Sequence, residues 1–363
     1  MADAVAAGAR WCVRSWQASG PRSGSGVLLA LGVLLLAVVL FAAGQGAYGL
    51  PLSELPGVIV GAFDRSTERS GAERVFFSIR LPRLLLGLAA GAGLGMAGAL
   101  MQGLFRNPLA DPGLIGVSSG AALAAGVTIV LGAVWFPDLP RALGSWTLVL
   151  MAFGGGLAVT VLIYLLSRGD GGTRVGLMLL AGIGINALAG AGLGLLSFLA
   201  NDEQLRSLQF WLLGSLGGAR WSAVLLVGGL CGVALVLGLR LAGPLNALAL
   251  GEAQAVLLGV PVQRVQRQVV VLTALAVGAV TATTGIIGFI GLVAPHMVRL
   301  IAGPDHRWVL PGSALLGASL VLAADAVART VAQPAELPLG VLTALVGVPF
   351  FLVLLRSAHG RRL

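Results

Sequence analysis

The chain has 363 residues and a formal charge of +9, and all 23 of its basic residues are arginine. Charged residues are 10% of the chain, hydrophobic residues 57%, and the mean hydropathy is +0.97, whereas a soluble domain carries about 25% charge. This composition excludes a soluble globular domain and a disordered chain. The scattered single arginines argue against nucleic acid, and Cys12 and Cys231 lack any disulfide, metal or redox spacing.

Lipid is therefore the expected solvent, and spans are sought as uncharged stretches near the roughly 20 apolar residues that a crossing helix needs. Nine occur: 23–53, 84–105, 112–137, 142–167, 175–201, 221–239, 268–298, 308–324 and 337–355. None shows the short alternation of a membrane barrel. The first, with its apolar run from Val27 to Ala43, exceeds a signal-peptide core, lacks a convincing cleavage site and reads as a retained helix. In the second, Gly87, Gly91 and Gly95 recur every fourth residue and predict close helix packing on one face. In the fifth, Gly182 and Gly190 share a face with Asn186 between them. Asn186 reads either as an interhelical hydrogen-bonding group or as a point on a polar pathway.

Between the fifth and sixth stretches, residues 207–219 are too few to cross and predict a short helix at the outer mouth. After the sixth, the loop 244–263 predicts one short amphipathic helix. Its apolar face would hold Leu245, Leu248, Leu250, Ala253, Val256, Leu257 and Leu258, with Glu252 on the exposed side and Gly259 and Pro261 as the stop. Its polar face carries no arginine, so a groove on a partner protein suits it better than a membrane surface.

Arg10, Arg14 and Arg22 precede the first stretch, and Arg356, Arg361 and Arg362 follow the last, so both ends are expected in the cytoplasm. That requires an even number of crossings. The stretch 268–298 would make a helix of about 46 Å against a core of about 30 Å, and it holds Thr281, Thr284, Gly285, Gly288, Gly291 and Pro295 as possible breaks. Divided between about 264 and 302 into one full and one short helix, it brings the count to ten. The expected organisation is a cytoplasmic segment 1–26, one all-α membrane domain over 27–356 and a tail 357–363.

Ionisable residues are nearly absent from the spans. Asp325 and Arg329, four apart near the outer end of the ninth stretch, suit an i,i+4 pair. No chain of Asp, Glu and His crosses the bilayer centre, which points away from proton coupling. His296, His306 and His359 share no ligand spacing, so no metal site is expected on this chain; a packing or hydrogen-bonding role suits His296 better. The phosphate-binding motif GxxxxGK[ST] needs lysine, and the chain has none. Any ATPase must be a separate subunit.

The ordered motifs RLPR at 80–83, MQGLFRNPLADPGLIGVSSGAALA at 101–124, QFWLLGSLGG at 209–218, LNALALGEAQAVLLGV at 245–260, GIIGFIGLVAPHMVRL at 285–300, LLGASLVLAADAVAR at 315–329 and ELPLGVLTALVGVPFFLVLL at 336–355 resemble one family. It is the permease subunits of type II ABC importers for iron-siderophores, haem and vitamin B12. The resemblance runs from about residue 27 to the C-terminus. It implies ten helices and a multi-pass protein of the bacterial inner membrane. It also implies a second permease copy, two ATP-binding subunits carrying ATP and magnesium, and a periplasmic substrate-binding protein, with no cofactor on this chain.

By the same resemblance, Leu248, Gly251, Glu252, Ala253, Leu258 and Gly259 belong to the helix that couples to the ATPase. Arg80, Arg83 and Arg329 match outer arginines that meet carboxylates of the binding protein, and Asn107, Pro108 and Leu109 match a cytoplasmic gate. Thr173, in the loop 168–174, is a facing gate element. The segment ADPGLIGVSSGAALA is most similar to haem permeases, with vitamin B12 and ferric siderophore permeases as alternatives. A secondary transporter needing no ATPase is the alternative from another class. With ten spans, 14 arginines and five acids fall on the cytoplasmic side, so the whole excess of +9 lies there and reports orientation.

Overall fold

The computed structural model describes residues 24–45, 57, 71–135, 138, 143–169, 172–332 and 335–359, with the side chains of 133 and 353–359 left aside. The expected segment before Gly24, the first stretch beyond Gln45, Asp170 and the last four residues of the tail lie outside the described residues. In chain order the helices are α1 (Gly24–Gly44), α2 (Gly71–Phe105), α3 (Val117–Trp135), α4 (Trp146–Leu166), α5 (Val175–Leu199), α6 (Asp202–Leu213) and α7 (Trp221–Leu239). They continue with α8 (Ala242–Ala249), α9 (Glu252–Leu257), α10 (Val262–Thr284), α11 (Ile290–Ala302), α12 (His306–Val331) and α13 (Leu339–His359). A two-residue hairpin, β1 (Arg168–Gly169) and β2 (Gly172–Thr173), joins α4 to α5.

Seven of these helices are long and apolar enough to cross a membrane: α1, α2, α4, α5, α7, α10 and α12. Shorter apolar stretches lie in α3, α11 and α13. The protein is an all-α integral membrane protein. Its centre is α2, α10 and α12, whose apolar windows are 78%, 78% and 72% buried, against 17–22% for α1, α4, α5 and α7. Those outer helices turn Leu29, Leu36, Leu162, Leu180, Leu188 and Leu225 outward, as lipid permits.

Charge-based boundaries cut α12 short. It runs from His306 through Arg307 to Val331, because Asp325 and Arg329 neutralise each other inside it rather than ending it. In α2 the turns over Phe76–Arg80 widen to a π-helix just before Pro82. A wider turn relieves the clash that a proline ring makes with the preceding turn, so the helix continues through it.

The break expected inside 268–298 is present. α10 ends at Thr284, Gly285 follows at φ 74, and α11 starts at Ile290 after Phe289 at φ 66. Thr281 stays within α10, and Gly291 and Pro295 lie within α11. The short helix expected over 207–219 is α6, which starts earlier, at Asp202, and ends at Leu213, because Gly214 at φ 69 turns the chain and 214–219 are not helical. A capping box starts it: Asn201 accepts from the Gln204 N–H, and Gln204 returns the bond. Its end meets two other elements, since Ser215 N–H donates to Thr284 O at 2.7 Å and Leu339 N–H to Gly214 O at 3.0 Å.

The glycine face of α2 lies against α12. A methyl group on Gly91 would stand 2.6 Å from Ala318 Cα, one on Gly95 would meet the Ser313 carbonyl, and one on Gly317 would meet the Gly91 carbonyl. The backbones touch because no side chain separates them. Gly91→Leu is therefore expected to prevent normal assembly of the bundle, costing about 3 kcal/mol or more. Gly154, whose Cβ would meet nothing within 4 Å, is the control: Gly154→Leu keeps a monodisperse peak in detergent and Gly91→Leu loses it. Of the two readings of Asn186 of α5, the structure shows the hydrogen-bonding one, to α3 and to the 3-10 turn Pro112–Ile115 before it. Its amide donates to Gly113 O at 3.2 Å, and Ser119 Oγ donates to its Oδ1 at 2.5 Å.

Candidate functional site

At the end of the bundle that carries α8 and α9, the loop 244–263 departs from the single amphipathic helix expected there. It folds as two helices, because Gly251 takes φ 121 and breaks the chain between them. α8 buries Leu245 and Leu248 in the core, and α9 buries Ala255. The residues assigned to one apolar face consequently divide. Leu250, Val256, Leu257 and Leu258 are exposed, Leu257 to 87%. Ala253 and Gly259 are exposed with them, while Gly251 is half-buried. Glu252 is not on the exposed side either; it is half-buried, and Gln266 Nε2 of α10 donates to its Oε1 at 3.4 Å. α9 therefore presents aliphatic side chains away from the bundle.

α8 is joined to the start of α12 by a polar clasp. Asn246 Nδ2 donates to Asp305 Oδ1 at 2.6 Å, His306 N–H donates to Asn246 Oδ1 at 2.9 Å, and His306 Nδ1 lies 2.8 Å from the same oxygen. Asp305 also caps α12 by accepting from Arg307 N–H, which with the Asn246 bond holds its carboxyl below the usual carboxylate range. His306, expected in a loop, is the buried first residue of that helix.

Beside it lies the loop that follows α2. Arg106 turns the chain at φ 50, Asn107 Oδ1 accepts from Leu109 N–H at 2.9 Å, and Asp111 caps the 3-10 turn Pro112–Ile115. Burial pushes the Asp111 carboxyl above its ordinary value. Asn107, Pro108 and Leu109 are exposed, and Pro108 and Leu109 border a narrow cleft with Leu292, Val293, His296, Phe350 and Phe351. Thr173 is placed differently. It is 5% exposed, its N–H donates to Gln263 Oε1 at 2.8 Å, and its hydroxyl lies 3.3 Å from Tyr164 Oη. The residues expected to form a gate sit on separate supports, Asn107 to Leu109 on the loop after α2 and Thr173 on β2, and among the described residues no hydrogen bond joins Thr173 to Asn107.

At the opposite end, Arg80, Arg83 and Arg329 are all buried. Arg83 forks between Asp325 at 2.8 Å and Glu336 at 2.8 Å, and Arg329 pairs with Asp325 at 3.1 Å. Arg329 also donates to Ala42 O and Gln45 O, and Arg80 to Ala43 O at 2.8 Å. Two arginines thus satisfy carbonyls that the end of α1 leaves open, binding α1 to the core. Glu336 is the partner that sequence reasoning missed; an arginine held at a span end is the signal that a carboxylate stands nearby. Arg83 lowers the Glu336 pKa, so this contact contributes fully above the ordinary value of 4.5 and is lost as pH falls through the depressed one.

An apolar cleft of about 240 Å³ lies between α11, α12 and α13, lined among others by Phe289, Val293, Val327, Leu342 and Thr343. Its one hydroxyl, on Thr343, donates to Gly340 O. Its lining therefore offers no free polar group to orient a charged solute.

The chain is 46% identical over 337 residues, 92% of this chain and 97% of the relative, to the hemin transport system permease protein HmuU of Yersinia pestis. It is 40% identical over 331 residues, 91% of this chain and 95% of the relative, to the vitamin B12 import system permease protein BtuC of Escherichia coli. A solved structure described as an inward-facing conformation of a metal-chelate type ABC transporter matches with a TM-score of 0.79 at 31% identity, over 92% of this chain and 99% of that one. The model of the FecCD transport family matches residues 34–357, and the chain belongs to that family.

Proposed function

We propose that this chain is the permease subunit of an ATP-driven importer that passes haem from a periplasmic binding protein to the cytoplasm by alternating access. It works as a homodimer in the bacterial inner membrane, with ten spans per copy: the seven long helices together with α3, α11 and α13. Both termini face the cytoplasm, where the arginine excess lies. Two separate subunits bind ATP and magnesium.

The observation that carries this reading is α9. Exposed Val256, Leu257 and Leu258 sit on a short helix held rigidly at both ends, at the cytoplasmic end of the bundle by the charge count. Aliphatic side chains presented this way suit a cleft on a soluble subunit. The coupling residues share the work: Ala253, Leu258 and Gly259 face the ATPase, Gly251 makes the bend, and Leu248 and Glu252 anchor the unit to the bundle. Asn107, Pro108 and Leu109 form the cytoplasmic gate, and Thr173 sets the position of α5 beside it.

The docking role of Arg80, Arg83 and Arg329 becomes an exchange of partners. Arg83 already holds Glu336, the less buried of its two carboxylates, and an acidic lobe of the binding protein displaces it. Arg80 and Arg329 keep the site charged and in register.

Haem is favoured by the higher identity with the hemin permease, 46% against 40% for the vitamin B12 permease. The decisive experiment is a binding screen of the cognate periplasmic protein against haemin, cobalamin and a ferric siderophore. Tight haemin binding is expected, and preference for either of the others reassigns the substrate without touching the importer class. Gradient-driven uptake by the purified chain with no ATPase would overturn the class itself.

A further inference from the structure

The geometry points to Gln263, in the first turn of α10, as the positioning residue that carries movement of α9 to β2 and the start of α5. It rests on the reading of α9 as the ATPase-facing helix.

The chain between α9 and Gln263 has no slack. Leu258 N–H donates to Gln254 O, Gly259 N–H to Val256 O and Val260 N–H to Ala255 O, at 2.9–3.0 Å. Gly259, at φ 78, makes that closure possible. Val262 N–H then donates to Val260 O at 2.9 Å, and Val265 N–H to Pro261 O at 3.1 Å opens α10. Gln266, one turn after Gln263, reaches back to Glu252 at the start of α9. α9 is thus tied to the first turn of α10 from both of its ends.

The hairpin grips the same turn. Thr173 N–H donates to Gln263 Oε1 at 2.8 Å, and Gly172, at φ 104, lets its backbone lie against the Gln263 amide, where a Cβ would collide. Arg174 N–H closes the hairpin onto Ser167 O at 3.0 Å, and Met178 N–H to Arg174 O begins α5. A displacement of α9 therefore cannot occur without stretching the Gln263–Thr173 bond or moving Thr173 and the start of α5.

Gln263 is itself exposed, but Thr173, whose N–H it accepts, is 5% exposed, so losing the bond leaves a largely buried donor without that acceptor. A merely structural role predicts a loosened hairpin, with faster resting exchange and the nucleotide response retained. A relay predicts loss of communication.

The test uses the assembled complex of permease, ATPase and binding protein, followed by hydrogen exchange over residues 167–176 with and without ATP and vanadate. Haemin uptake and ATP hydrolysis are measured in parallel. In wild type the segment changes its exchange on nucleotide trapping. In Gln263→Leu and Gln263→Ala the resting exchange of this segment is expected to be about tenfold faster. Its nucleotide response disappears, and uptake per ATP hydrolysed falls about tenfold with hydrolysis retained. Gln263→Glu keeps an acceptor for Thr173 N–H and keeps the response. A wild-type response in both the Leu and Ala variants overturns the relay alone, as does a Glu variant that behaves like them. A wild-type complex whose hairpin ignores nucleotide also overturns the relay, whereas failure of the reading of α9 shows separately, as undiminished ATPase retention by Leu257→Asp.

Discussion

Leu257→Asp is expected to leave the folded permease intact and to strip it of its ATPase. The side chain is 87% exposed, so the folded chain loses no packing and its stability should change by no more than about 0.5 kcal/mol. At the centre of a buried interface the same charge is costly. Removing an aliphatic anchor and desolvating a carboxylate costs about 2 kcal/mol or more, about 30-fold in affinity. Pull-down of the ATPase by tagged permease, with thermal unfolding of the permease alone, reads both quantities. The complementary variant is Leu245→Asp, which puts the charge on the buried face of α8 and should abolish folding instead. Glu252→Arg stands between them. It breaks the contact to Gln266 at the start of α9, so it should lower transport-coupled hydrolysis with membrane insertion unchanged. Undiminished ATPase retention by Leu257→Asp would remove α9 as the docking helix.

Arg83→Met is expected to be the most destabilising single change at the other end of the bundle. Arg83 bridges two carboxylates, and Asp325 is 2% exposed, so the variant leaves a buried charge with Arg329 alone. Breaking one partner out of such a cluster costs about 3–5 kcal/mol. Glu336→Gln in the Arg83→Met background should restore part of that loss, because it removes the carboxylate that has lost its arginine while Asp325 keeps Arg329, and a double-mutant cycle on thermal midpoints measures how much. Arg206→Met, at an exposed position of α6, serves as the reference and should be close to silent. An unshifted midpoint for Arg83→Met would mean that the cluster contributes nothing.

Much of this architecture is legible along the chain because lipid makes hydropathy a strong signal. The stretch 268–298 is too long for one crossing, and Gly285 marks where it divides. The glycine period of α2 announces a backbone contact, since an empty face on a membrane helix has little other use. What stays illegible depends on pairing across distance. Arg83 finds Glu336 253 residues away, and nothing local to either residue reveals the other. Nor does apolar patterning tell a face buried within the chain from an apolar face left exposed. The loop 244–263 contains both, divided at Gly251, and read as a single face they produce one helix where there are two. Thr173 fails for a related reason: its partner Gln263 is 90 residues on, so its burial is invisible in RGDGGTR.

α12 is a single helix of 26 residues, about 39 Å long, and three of its contacts are spaced along its length. Asn246 holds its first residue, Gly91 and Gly95 press against Gly317 and Ser313 near its middle, and Arg83 holds Asp325 toward its far end. Gly317 lies 11 residues from His306 and eight from Asp325, arms of about 16 Å and 12 Å. Where two backbones meet without side chains between them, the contact acts as a fulcrum. If α12 tilts about it as one body, with Pro311 in the longer arm holding straight, the Asn246 end and the Asp325 end swing in opposite senses, the second by about three quarters of the first.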